Sequence, residues 1–156
     1  MKAFISFSVN DNNQYLISLL SFKLQDNDFS TSTSNNFFSK ELDFTTKYSI
    51  QNAHLFLGVI TDDGLERKRV LEEWEFAKNS KVPNILLIED TVPVKKEFKG
   101  NWVRFNRLNP QAAIDKVSEK MNSKPSKSNS NSDILPWLLG GAAVLAILGL
   151  MTTSKD

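Results

Sequence analysis

Short apolar runs alternate along the chain with stretches whose apolar positions recur at helical spacing. Residues 2–8 (KAFISFS) are a compact run rich in β-formers and predict a first strand. Beyond it, Tyr15, Leu16, Leu19, Leu20 and Phe22 predict a helix running to about Gln25, with Asn10 or Asp11 as its cap. Residues 28–33 predict a second, edge-like strand, and a helix is expected within 37–52, where the pattern does not mark its ends. Residues 53–61 (AHLFLGVIT) are almost continuously apolar, as in a strand buried on both faces. A turn at Asp62-Asp63-Gly64 follows, then a helix over 65–79 and a buried strand over 82–89. A short strand at 102–105 and a helix over 109–121, with Asn109 as cap and Pro110 in its first position, complete the series. Buried strands separated by helices predict an α/β domain, a central parallel sheet flanked by helices. No internal repeat is visible.

The pattern changes after residue 121. Residues 122–133 (NSKPSKSNSNSD) are almost wholly polar and predict a flexible linker. Residues 134–151 carry no charge. At about 1.5 Å per residue a helix of that length spans roughly 27 Å, close to a bilayer's hydrocarbon core. Thr152 and Thr153 extend it, so one transmembrane helix is expected over 134–153 with a tail at 154–156; the alternative is a buried core helix. Pro136 falls in the first turn and Trp137 at the interface. Lys116, Lys120, Lys124 and Lys127 precede the span and only Lys155 follows, which by the positive-inside rule puts the large domain in the cytoplasm. The first residues, MKAFISFSVNDNN, hold no long apolar stretch and predict no secretory signal. The expectation is a single-pass, tail-anchored chain with the lipid bilayer as a partner.

Composition narrows the chemistry. The net charge is +1, and residues 1–121 balance 16 Lys+Arg against 16 Asp+Glu, which argues against nucleic acid as a partner. Cysteine is absent, excluding disulfides, thiolate zinc sites and a cysteine nucleophile. The single histidine, His54, excludes a two-His metal motif, and its place at the start of the third strand predicts a structural role. Asp62, Asp63 and Glu66 are too few for a calcium loop, so a solvated turn and no metal site are expected.

In open parallel sheets ligands bind beyond the carboxyl ends of the strands. Here those ends are Ser8-Val9-Asn10-Asp11, Thr61-Asp62-Asp63-Gly64 and Glu89-Asp90. Residues 8–13 hold no glycine, so the dinucleotide fingerprint and the P-loop both fail. In the helix that follows the turn, Val70, Trp74 and Ala77 define the buried face. Stepping about 100° per residue from Val70, Glu72 falls on the solvent side, Glu75 on a flank, and Glu73 at about 300°, the rim of the buried face. Glu73 is therefore the glutamate placed to sit half-buried at a cleft, where it could bind a ribose hydroxyl or a developing cation. The alternative is a surface glutamate paired with Arg69 or Lys78. Trp74 reads as core.

The order and spacing of these pieces resemble a TIR (Toll/interleukin-1 receptor) domain over residues 2–121, closest to small bacterial TIR-like proteins of Thoeris-type antiphage systems. The family's first strand reads F-I-S-Y/F, matched by Phe4-Ile5-Ser6-Phe7. Its third strand ends in I-S or I-T, matched by Val59-Ile60-Thr61, and its next helix carries a glutamate four residues before an alanine, matched by Glu73 and Ala77. Of the family's S-x-W-C/V before the glutamate, only Val70 fits; Arg67 and Arg69 depart from it, and residues 30–52 have no clear match.

The resemblance implies a flavodoxin-like TIR domain and, in enzymatic members, an NAD glycohydrolase or cyclase that cuts the nicotinamide–ribose bond. NAD is then substrate, and no cofactor is expected. Glu73 inherits the catalytic role, with Glu72 and Glu75 as alternative registers, and Phe7, Ser8, Asn10 and Asp11 match the substrate-binding region beside the nicotinamide end. The implied setting is the bacterial inner membrane, with NAD depleted or converted to a nucleotide signal in antiphage defence. Self-association through the domain, aided by the membrane helix, is also implied. The alternatives are a noncatalytic TIR assembly or adaptor module and an oligomerising membrane effector.

Overall fold

The computed structural model describes residues 1–9, 13–34, 41–64, 66–96 and 99–122. Their elements run β1 (Lys2–Phe7), α1 (Gln14–Gln25), β2 (Ser30–Thr33), α2 (Phe44–Gln51), β3 (Leu55–Ile60), α3 (Arg67–Asn79), β4 (Asn84–Glu89), β5 (Trp102–Phe105) and α4 (Pro110–Asn122). The five strands form one sheet in the order β2-β1-β3-β4-β5, every pairing parallel. This is the flavodoxin-like order.

Burial follows the strand positions. β3, at the centre, buries all six residues, and β1 and β4 bury four and five of theirs. The edge strand β2 (STST) buries none, because one face and one edge have no neighbour to cover them. Two apolar layers result. Ile5, Leu57, Val59 and Leu87 meet Leu16, Leu20 and Leu24 of α1 and Ile114 of α4 on one face. Phe4, Phe56, Leu86 and Ile88 meet Ile50 of α2 and Val70, Trp74 and Ala77 of α3 on the other. Phe4 and Phe56 are paired in register and stack at 5.8 Å between ring centroids.

Two helix starts differ from expectation. Asn10 and Asp11, the expected caps of α1, lie outside the described residues; the helix follows Asn13, whose side chain donates to the Ser8 carbonyl and caps nothing. The helix expected within 37–52 is confined to Phe44–Gln51, because Asp43 caps it by accepting from Thr46 N at 2.9 Å and Thr46 Oγ1 at 2.8 Å. Those bonds, the backbone one first, hold the Asp43 carboxyl below its ordinary value. A depressed folded value means that the stabilisation is complete above the unfolded value of about 3.9 and is lost as pH falls through the folded one. Asp43→Ala is expected to cost about 1 kcal/mol at pH 7. In urea titrations the gap to wild type should narrow below about pH 4; a gap constant to pH 2 would show that the carboxylate charge contributes nothing.

The membrane expectation is corrected here. The longest helices among the described residues, α3 and α4, have 13 residues each, about 20 Å, and both carry charges along their length. Among the described residues no helix is long and apolar enough to cross a membrane. Among the described residues the fold class is thus an α/β domain with a five-stranded parallel sheet and no membrane-spanning helix. The tail-anchored, inner-membrane location has no such helix among the described residues to carry it. The stretch 134–153 on which both rested lies outside the described residues.

Candidate functional site

In this strand order the chain reverses direction of winding between β1 and β3, and the carboxyl ends of those strands form the crevice where such sheets bind ligands. Ser8 and Thr61 stand there, 2% and 1% exposed. Gly64 closes the turn after β3 over both. A Cβ at that position would stand 2.7 Å from Ser8 Oγ and 3.0 Å from Thr61 Oγ1, so only glycine lets the turn approach so near.

The helix α3 leads away from this crevice. Its buried residues are Val70, Glu73, Trp74 and Ala77. Glu73 is 1% exposed, deeper than the half-buried rim position expected. The reason is that α3 packs on β1, β3 and β4 together, so its covered arc is wider than the apolar stripe alone. Glu73 is also paired: Arg69 Nη1 donates to Glu73 Oε1 at 2.8 Å. The same guanidinium donates from Nη2 to the Phe7 carbonyl at 2.6 Å and lies 3.5 Å from Glu66 Oε2. Glu66 Oε2 in turn accepts the Val9 N–H at 2.8 Å. One arginine and two glutamates therefore tie α3 to the end of β1. Glu73 Oε2 has no hydrogen-bond partner among the described residues, and neither do Ser6 Oγ, Thr61 Oγ1 and Glu66 Oε1. Ser6 is two residues beyond Phe4 and shares its α3-facing side of β1. Buried polar atoms are rarely left unpaired, and several in one region mark a place built for water or a polar ligand.

The structure brings Phe7 and Ser8 to this region, Phe7 through its carbonyl on Arg69 and Ser8 through Gly64. Asn10 and Asp11 lie outside the described residues. The alternative registers separate clearly. Glu72 is partly exposed and pairs with Lys68 at 3.6 Å, and Glu75 is exposed, whereas Glu73 alone of the three is buried. Trp74 is core, its Nε1 donating to Asn84 Oδ1 at 2.8 Å. His54 Nδ1 accepts the Lys2 N–H at 3.1 Å at the opposite end of the sheet, a structural use. Asp62, Asp63 and Glu66 are engaged by Arg67, Arg107 and Arg69.

Sequence reasoning did not find the link from Glu66 to Val9 or the grip of Arg69 on Phe7. The spacing of Glu66, Arg69 and Glu73, three and four residues apart on one helix face, was the available signal. Two cavities flank α3: one of about 610 Å³ lined by Leu42, Leu71, Trp74 and Phe76 among others, and one of about 170 Å³ lined by Ile60, Arg67, Leu71 and Val92 among others. Glu73 lines neither.

No family model matches the chain, and no curated protein matches it in sequence. Among solved structures, the CMP N-glycosidase BcmB of Clostridium botulinum superposes with a TM-score of 0.56, covering 76% of this chain and 99% of that one at 14% identity. The two proteins share a fold. At that identity the likeness extends to the fold alone. The TIR domains of the activated Roq1 resistosome, which directly recognises the pathogen effector XopQ, superpose with a TM-score of 0.47, covering 96% of this chain and 84% of that one at 13% identity.

Chemically, the arrangement offers one buried carboxylate with an unpartnered oxygen, a counter-cation on its other oxygen, and two buried hydroxyls at the strand ends. Such a set can stabilise positive charge and accept hydrogen bonds from a ligand's hydroxyls.

Proposed function

We propose that the chain cleaves the N-glycosidic bond of a nucleotide, with NAD, cut between nicotinamide and ribose, as the first candidate. The observation that carries this reading is the buried Glu73 with an unpartnered oxygen, on the helix leading from the crevice of the sheet. In this reading the bonding pair leaves with the nicotinamide nitrogen, whose positive charge is thereby lost. The ribosyl C1′ becomes oxocarbenium-like, and the carboxylate of Glu73 stabilises it. Water attacking C1′ gives ADP-ribose and a proton; an adenine nitrogen as acceptor gives a cyclic product; another small molecule gives a conjugate. Phe7, Ser8, Asn10 and Asp11 would flank the nicotinamide end. A place in Thoeris-type antiphage defence, by NAD depletion or a nucleotide signal, belongs to the same proposal.

A second reading is an assembly module without catalysis, with an exposed aromatic pair as its contact. Phe44 and Tyr48 stack at 6.4 Å on the surface of α2, 81% and 59% exposed. Exposed aromatics of this kind are common at contacts between chains, and such a contact between copies is compatible with either reading.

The test is incubation of the full chain with NAD and, separately, CMP over a range of protein concentrations, with products resolved by mass spectrometry. Release of nicotinamide with appearance of ADP-ribose or its cyclic form is expected, rising more than linearly with protein if assembly completes the site. Release of no base from either nucleotide at any concentration would overturn the enzymatic reading in favour of the assembly module.

A further inference from the structure

If Glu73 acts on a nucleotide as proposed, the resting site presents two obstacles. The carboxylate is 1% exposed, and the Arg69 guanidinium, itself 10% exposed, lies against its Oε1 at 2.8 Å. That group occupies one of the two carboxylate oxygens. The cation also cancels the negative field that a developing oxocarbenium needs. For Glu73 to act, Arg69 must leave it.

Arg69 can do so without losing every partner. It also contacts the Phe7 carbonyl at 2.6 Å and Glu66 at 3.5 Å, and Glu66 is anchored by the Val9 N–H. A guanidinium takes a phosphate through two parallel hydrogen bonds, and an incoming phosphate competes for it directly. In a 5′-nucleotide the phosphate stands one ribose ring from the bond to be cut. Arg69 and Glu73 leave the helix one turn apart, their Cβ atoms roughly 6 Å from each other, and their charged ends meet at 2.8 Å while they are paired. Once parted, the two side chains can therefore address the two ends of a ribosyl phosphate.

We propose that Arg69 is the specificity-determining residue of this site: it caps Glu73 in the free protein and leaves it for the phosphate of the substrate, so that only 5′-phosphorylated nucleosides unmask the carboxylate. A nucleoside lacks the group that displaces the cap. The site thereby excludes nucleosides without a clash against them.

The test compares nicotinamide mononucleotide with nicotinamide riboside as substrates, and measures ADP-ribose binding by calorimetry, on wild type, Arg69→Met, Arg69→Lys and Glu73→Gln. ADP-ribose carries the phosphates and has no bond left to cut. Wild type should favour the mononucleotide by at least about ten-fold in kcat/KM, the worth of one charged hydrogen-bonded contact. Arg69→Met should cleave the riboside faster than wild type and lose the preference, and Arg69→Lys should keep part of it. Glu73→Gln frees Arg69 from its charge partner and should bind ADP-ribose several-fold more tightly than wild type, about five-fold for each kcal/mol released. An Arg69→Met protein that folds but keeps the preference, or loses cleavage of both substrates, overturns the proposal. So does a Glu73→Gln protein that binds no tighter than wild type; this arm stands even where Arg69→Met fails to fold. Wild type that cleaves NAD while these results fail rejects the cap alone. Wild type that neither cleaves nor binds any nucleotide rejects the enzymatic reading and the cap together.

Discussion

Glu73→Gln is expected to lower base release from NAD by about 10³-fold or more, roughly 4 kcal/mol in activation free energy. The substitution is nearly isosteric and removes only the charge that would face the ribosyl cation. Glu72→Gln and Glu75→Gln remove the same charge one residue earlier and two residues later. Glu72 is partly exposed and paired with Lys68, and Glu75 is exposed, so both variants should stay within about two-fold of wild type, as surface substitutions usually do. The three variants measured side by side therefore settle the register. Because Arg69 loses its buried partner, Glu73→Gln should also be less stable, by a few kcal/mol at most since Glu66 remains within reach. Thermal unfolding of each preparation separates lost chemistry from lost fold. Activity within about three-fold of wild type in a folded Glu73→Gln protein would reduce the carboxylate to a structural ion pair.

A second large effect on stability is expected at Arg107, beyond the carboxyl end of β5. Its Nη1 and Nη2 donate to the two carboxylate oxygens of Asp63 at 2.9 and 2.6 Å. Its Nε lies 2.7 Å from Glu89 Oε1, and Nη2 donates to Glu89 Oε2 at 3.0 Å. Glu89 Oε2 also accepts the Asp62 N–H at 2.9 Å. One guanidinium thus joins the turn after β3, the end of β4 and the segment before α4. These contacts, the Asp63 hydrogen bond foremost, raise the guanidinium pKa beyond its ordinary value. The Glu89 side chain is 8% exposed, so removal of Arg107 leaves a buried carboxylate without its cation. Loss of one partner of a fully buried pair costs about 3–5 kcal/mol; with Arg107 itself a quarter exposed, Arg107→Met is expected to cost about 2–3 kcal/mol. For a domain of this size that lowers the melting temperature by roughly ten degrees. Urea unfolding should show a lower midpoint at an unchanged slope. A loss below about 0.5 kcal/mol would place the network among surface ion pairs. Glu89→Gln should cost less, since the amide oxygen can still accept from Asp62 and Arg107 still holds Asp63.

The legible part of the fold was the part written in local patterns. β5 begins and ends where the apolar positions put it, and β3 and β4 fall inside the runs that predicted them. Asp43 was harder to see, because a cap is one residue in a polar stretch and its partner is only three positions away. The uncharged run at 134–153 lies outside the described residues, and no helix among those residues is long and apolar enough to cross a membrane.

What the sequence by itself determined was the set of strands and helices, a parallel α/β arrangement, and the place of Glu73 beside the apolar stripe of α3. These follow from side-chain periodicity, which each segment carries within itself. What only the tertiary structure decided was the state of that glutamate. Its full burial depends on α3 lying across three strands. The grip of Arg69 on Phe7 and of Glu66 on Val9 joins residues 62 and 57 positions apart. Contacts of that separation arise from how the elements pack together, which no periodicity within a single element records.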